Sequence, residues 1–305
     1  MSITTVEVLR TSQAPTTRIL KSGDWVRTHW LPLLVTAALF IMLYAVNFVK
    51  LFEDWRSDEN YSHGFIVPLV FGWMLWQRRE KLANCKMSPR PWALAIIFFA
   101  VIQLVAGTLG AENFVAHSSM LVMLCGITLF LFGDEMLRLV AFPIAWLLFM
   151  IPLPSIIFYR ATFPLQLLAS KLAVGILDVL HVPSVCEGNV IYLAHFTAGV
   201  AEACSGIRSL MSIFAFAVLM GYLLNMSVRS RFLLAVAAIP IALGMNAARI
   251  AGTGLVGNYV NADWAEGFFH TFSGFLLFVG CIGLMTVLVY VLRRFERVPS
   301  PECLT

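Results

Sequence analysis

One cysteine in this sequence stands where a thiol could act as a nucleophile. In Ala201-Glu202-Ala203-Cys204-Ser205-Gly206-Ile207-Arg208, Cys204 lies between Glu202 and Arg208, directly before an apolar run that ends near Leu224. A helix starting near Ser205 would point the unpaired N–H groups of its first turn toward the sulfur. With Arg208 one turn in, that positive potential favours thiolate over thiol. The thiolate is the form that attacks a carbonyl carbon, and the backbone N–H groups of Ser205 and Gly206 would be donors to the resulting oxyanion. The same stretch also reads as a small buried cysteine with two charges nearby, so the elements that position it must decide.

Those elements are membrane spans. Of 305 residues, 60% are hydrophobic and 12% charged, which excludes an ordinary soluble globular protein. Several apolar runs approach the roughly 20 helical residues that cross a bilayer core. The expected fold is an all-α polytopic integral membrane protein with about eight transmembrane helices. The spans are predicted at about 30–51, 63–77, 92–109, 118–132, 139–152, 206–224, 232–252 and 267–292. Basic residues mark the cytoplasmic side. Arg10, Arg18, Lys21 and Arg27 precede the first span, and Glu53, Asp54, Asp58 and Glu59 follow it. Arg78-Arg79-Glu80-Lys81, Arg229 with Arg231, and Arg293-Arg294 close later spans. Both termini are therefore expected in the cytoplasm, without a cleaved signal peptide. The organisation is read as a basic leader (1–29), a membrane catalytic unit (30–292) and a basic tail (293–305).

An extracytoplasmic insert, about 155–203, interrupts the pattern. Phe163 to Leu180 carries Lys171 and Asp178 and reads as an interfacial or re-entrant helix. The β-prone pieces 185–193 and 196–200, set around glycines, suggest a small hairpin cap leaning on the helices. Six cysteines without CxxC spacing give no disulfide framework or zinc site, although Cys186 and Cys204 share a side and a bridge between them is conceivable. No metal, cofactor or nucleic-acid partner is expected.

This topology puts three reactive side chains at one membrane face: Cys204 at the outer start of span six, Arg249 near the outer end of span seven, and His270 in the first outer turn of span eight. Ionisable groups at membrane depth are costly and mark function. His270 would take the thiol proton and return it to a leaving amine, and Arg249 would stabilise an oxyanion or orient the substrate backbone. Singly, such an arginine snorkels to headgroups and such a histidine is a satisfied interfacial residue; a shared depth does not make them converge. Asn246, one turn before Arg249, and His63 at the outer start of span two are supporting candidates. His117, His181 and His195 read as interfacial, and Cys125 and Cys281 as packing residues.

Taken together, Cys204-Ser205-Gly206-Ile207-Arg208, Asn246-Ala247-Ala248-Arg249-Ile250, His270 ahead of Ser273-Gly274, Tyr61-Ser62-His63-Gly64-Phe65 and the proline-rich 142–154 stretch resemble the exosortase/archaeosortase family. The resemblance runs from about Leu31 to Leu292. It implies Cys204, Arg249 and His270 as the catalytic set, a sortase-like reaction reached by convergence on another fold, and a place in a bacterial inner membrane with the site at the periplasmic face. It implies as substrates exported proteins bearing a C-terminal Pro-Glu-Pro motif, a membrane helix and a basic cluster, and a link to extracellular polysaccharide and biofilm systems. The acceptor of the processed chain is left open. A rival reading from another class is a non-enzymatic membrane subunit of polysaccharide assembly or export, with Arg249 and His270 lining a polar path.

Overall fold

The computed structural model describes residues 21–199, 207–262, 264 and 268–296. Its helices are α1 (Ser22–Thr28), α2 (Trp30–Leu43), α3 (Ala45–Ser57), α4 (Ile66–Gln77), α5 (Arg79–Asn84), α6 (Leu94–Leu109), α7 (Asn113–Leu131), α8 (Asp134–Trp146), α9 (Ser155–Val179), α10 (Ile207–Leu223), α11 (Val228–Tyr259) and α12 (Phe268–Phe295). Their surfaces are rich in exposed Leu, Val, Ile, Phe and Trp, the outward face of a bundle solvated by lipid. The chain is an all-α polytopic membrane protein.

Charge and apolar length predict eight crossings. By length and composition, five helices qualify among the described residues: the 91–109 segment that contains α6, then α7, α9, α11 and the 272–295 part of α12. A sixth is added if α1 and α2, bent by 85° to one another, count as one span. The segments expected at 63–77, 139–152 and 206–224 are shorter helices of 12, 13 and 17 residues. Two of them are extended by 3-10 turns, Glu59–Phe65 before α4 and Leu147–Met150 after α8. With its turn, α8 reaches roughly 27 Å, close to the thickness of a bilayer core.

Contacts sort the bundle into a basic and an acidic end. At the basic end, isolated bridges pair Lys21 with Lys86 and Ser88 with Gly133, and Arg90 pairs with Asp134. There, too, Ser227 N–H donates to Glu296 Oε1 (2.8 Å) and Arg293 Nη2 to the Leu224 carbonyl (2.7 Å), joining the α10–α11 turn to the end of α12. Glu53, Asp54 and Asp58 mark the opposite end, with the two 3-10 turns.

The insert was expected to hold a short interfacial helix, but α9 is 25 residues long and apolar enough for a crossing. Its two ends are nevertheless tied to the same end of the bundle. Phe158 packs on Tyr61 of the first 3-10 turn, with ring centroids 6.1 Å apart. Ala169, Ala173 and Leu177 share a buried cluster with Ile250 and Ala251, near the far end of α11. Alanines on both sides allow the close backbone approach that stabilises helix pairs in lipid. The β-prone pieces form a three-stranded antiparallel sheet, β1 (Ser184–Glu187), β2 (Val190–Leu193) and β3 (Thr197–Gly199). Glu187 pairs with Val190, so the hairpin turns on Gly188 and Asn189, and Gly188 takes the positive φ of 64° that such a turn demands. So small a sheet needs support. Ile191 is buried in the α9–α11 cluster, and the His195 N–H donates to Asn258 Oδ1 at 2.8 Å.

Candidate functional site

Helices α10, α11 and α12 build a core of their own. Ile213 and Ala217 of α10, Leu234 and Ala238 of α11, and Leu277, Cys281, Met285 and Val289 of α12 are all buried in it. Because α10 and α12 end together at the basic end, they run parallel, and α11 runs against both. The start of α10, the late part of α11 and the start of α12 are thereby gathered at the acidic end. Of the three residues expected to do chemistry, Arg249 belongs to α11 and His270 to α12. Arg249 lies 21 residues beyond Val228, roughly 32 Å along the helix axis, about one bilayer core away from the basic end.

Arg249 is the candidate with a described side chain. It is half-buried, and its Nε donates to the Oγ of Ser273 at 3.1 Å. Its guanidinium lies over Gly274, where a Cβ would stand 3.6 Å from Nη2. Ser273 is itself 6% exposed, so the hydroxyl is a fixed post rather than a wandering surface group. Asn246, one turn earlier on α11, is fully buried. Ser273 falls one helical turn after His270 on α12, and His270 lies in the first turn of that helix. The structure thus brings Arg249 beside the turn that carries His270, through a residue that sequence reading had not singled out as a site residue. Arg208 is the second residue of α10. Cys204, Glu202, Ser205 and Gly206 lie outside the described residues.

His63 belongs to a separate staple at the same end. The 3-10 turn Glu59–Phe65 packs against α10 and against the turn that follows α8. Three hydrogen bonds fasten it and the preceding helix. Trp55 Nε1–H donates to the Met150 carbonyl (2.8 Å), His63 Nε2 to the Phe149 carbonyl (3.1 Å), and the Leu153 N–H to Tyr61 Oη (3.3 Å). A carbonyl can only accept, so Nε2 of His63 carries a proton. The described contacts of His63 are those of a fastening residue.

Gly64 explains why this turn is built as it is. A Cβ there would fall 2.7 Å from Trp55 Cε2, and nearer still to other atoms of the indole. The indole cannot retreat without giving up its bond to Met150. Gly64→Ala is therefore expected to cost about 1–3 kcal/mol. It should appear as a lowered melting midpoint of the detergent-solubilised protein relative to wild type; an unchanged midpoint would mean that the indole yields freely.

Several further sequence expectations meet the structure here. His117 was read as interfacial; instead it is 1% exposed inside α7, one helical turn before Met120 of the main buried cluster. His181 and His195 are exposed, as interfacial residues would be. Cys281 is fully buried and Cys125 half-buried, both packed in apolar clusters. Cys186 is a free thiol on β1, 3.4 Å from the Gly188 carbonyl. Among the described residues, no three His, Cys, Asp or Glu side chains group as a metal site.

No curated protein and no solved structure matches this chain. The family profile described as transmembrane exosortase (Exosortase_EpsH) matches residues 55–287, more than two thirds of the sequence and a stretch that includes Cys204, Arg249 and His270. With that match, on a polytopic helical membrane protein, the chain belongs to the transmembrane exosortase family.

Proposed function

We propose that this exosortase is an intramembrane cysteine transpeptidase or protease that removes C-terminal sorting tails from exported proteins. The observation that carries the reading is the Arg249–Ser273 bond, which links α11 to the turn of α12 bearing His270 at the end where α10 begins. Cys204 is three residues from Ile207 of α10, so its Cα lies at most about 11 Å from that residue's Cα along the chain. The reach suits a nucleophile that meets the other two groups.

In this mechanism His270 accepts the Cys204 thiol proton, and the thiolate attacks a peptide carbonyl carbon at the substrate's membrane junction. Arg249 and backbone N–H groups near Ser205 and Gly206 stabilise the oxyanion. Glu202, Arg208 and Asn246 shape the charge around the pair. The C–N bond breaks, the tail leaves as an amine with the proton from His270, and a thioester remains on Cys204. Water or an acceptor amine attacks that thioester, His270 takes its proton, and the thiolate departs.

In this reading the chain crosses the membrane eight times with both termini in the cytoplasm, which would put the site at the periplasmic face of a bacterial inner membrane. Residues 30–292 form the catalytic unit, and 155–203 the extracytoplasmic cap. The substrate class is exported protein with a Pro-Glu-Pro motif, a membrane helix and a basic cluster, and the setting is extracellular polysaccharide and biofilm production. The test is direct. The detergent-solubilised full chain is incubated with a tailed substrate and its intact mass is measured. A substrate-sized adduct on Cys204, released by hydroxylamine, is expected. Substrate cleaved with no adduct, under conditions that trap a known thioester enzyme, would overturn the covalent mechanism.

A further inference from the structure

At the basic end, away from the candidate site, two arginines converge on one tyrosine. Arg78 follows α4, Arg231 lies in the first turn of α11, and Tyr222 is in the last turn of α10. The Cζ atoms of Arg78 and Arg231 stand 4.9 and 5.8 Å from the centre of the Tyr222 ring. Phe142 of α8 stacks on that ring at 3.5 Å and 9°. Each guanidinium donates one N–H to a main-chain carbonyl, Arg78 Nη1 to Leu139 (2.8 Å) and Arg231 Nε to Met226 (2.7 Å). Neither has a carboxylate within 4.0 Å among the described residues. Two half-buried cations sharing one ring repel each other, and an acceptor of opposite charge on their remaining N–H groups would relieve that repulsion.

We propose that Arg78 and Arg231 bind the phosphate of an anionic phospholipid head group in the cytoplasmic leaflet. The forked N–H groups of two guanidinium ions match the non-bridging oxygens of a phosphodiester. The neighbouring residues select a lipid over a free anion. Trp76 lies two positions before Arg78, Phe232 and Leu233 directly follow Arg231, and all three are more than half exposed. Apolar surface of this kind flanks the cations on α4 and on α11, where acyl chains would lie. A bound head group would tie the basic ends of α4, α8, α10 and α11 together, clamping two helices of the α10–α12 unit from the end opposite the candidate site.

Thermal melting of the full chain in neutral detergent tests this, with phosphatidylglycerol, phosphatidylcholine or inorganic phosphate added in turn. Phosphatidylglycerol is expected to raise the midpoint well above the phosphatidylcholine value. The R78Q/R231Q double variant should bind it at least about tenfold more weakly. R293Q/R294Q, which removes two arginines from the same end, should keep the full response. Equal midpoints with both lipids on the wild-type chain would overturn the site, and that comparison needs no variant to fold. An equal loss in R293Q/R294Q would overturn it in favour of diffuse charge attraction. Stabilisation by inorganic phosphate alone, matching the lipid's, would overturn the assignment to a head group.

Discussion

Cys204→Ala is expected to leave a tailed substrate at its full length in cells, with the variant present in the membrane at wild-type abundance. Removing the nucleophile of a covalent enzyme costs about three orders of magnitude or more, because the acyl intermediate forms on its sulfur. The measurement is the mass of the substrate protein, with a membrane immunoblot in parallel to separate lost chemistry from lost protein. His270→Ala should behave differently. In the proposed mechanism the thiol can still attack slowly without His270, but the general base that activates water or an acceptor is gone. A thioester should therefore accumulate in that variant and be absent from Cys204→Ala. Normal processing by Cys204→Ala would sink the cysteine mechanism. It would leave the rival reading, a non-enzymatic subunit of polysaccharide assembly or export in which the thiol is dispensable.

What could be read from the sequence, and what could not, divides along a physical line. Apolar length and charge placement report the free energy of moving whole segments between water and lipid, so α6, α7, α11 and α12 fall close to their expected positions. The charge argument also put Arg249 and His270 at one level, and the antiparallel run of α11 against α12 is consistent with that. Lateral packing is a different quantity. Lipid and leucine are equally apolar, so hydropathy carries no record of which helix touches which. Ser273 escaped notice for this reason: a serine inside an apolar run is unremarkable until Arg249 is found against it. His117 sits near a helix start, a depth that suggests an interface, whereas rotation about the α7 axis turns it inward. Lys171 and Asp178 make α9 read as shorter and interfacial in the sequence. Both lie in the last third of a continuous helix whose buried stripe, Thr162, Gln166, Ala169, Ala173 and Leu177, follows helical spacing throughout.

The Arg249–Ser273 pair supports the second large effect. Arg249→Lys should lower kcat about 10²–10³-fold with KM little changed, the signature of a group that meets charge developing in the transition state rather than the bound substrate. Lysine keeps the charge, but it loses both the planar fork and the Nε–H that Ser273 holds. If Ser273 acts through Arg249 as a positioning residue, Ser273→Ala should cost less, about tenfold in kcat, and Ser273→Thr, which keeps the hydroxyl, should restore most of it. The decisive comparison is the double variant. If Ser273 matters only by aiming the Nε edge of the guanidinium, its loss adds nothing once lysine replaces Arg249, and the two effects fail to add. If Ser273 matters to helix packing instead, Ser273→Ala costs the same tenfold in either background, and a fall in melting midpoint goes with it. The side chain is small and buried between α11 and α12, so replacing its hydroxyl with hydrogen removes a hydrogen-bond partner while opening almost no space. A tenfold loss of kcat at an unchanged midpoint would therefore report the position of the guanidinium.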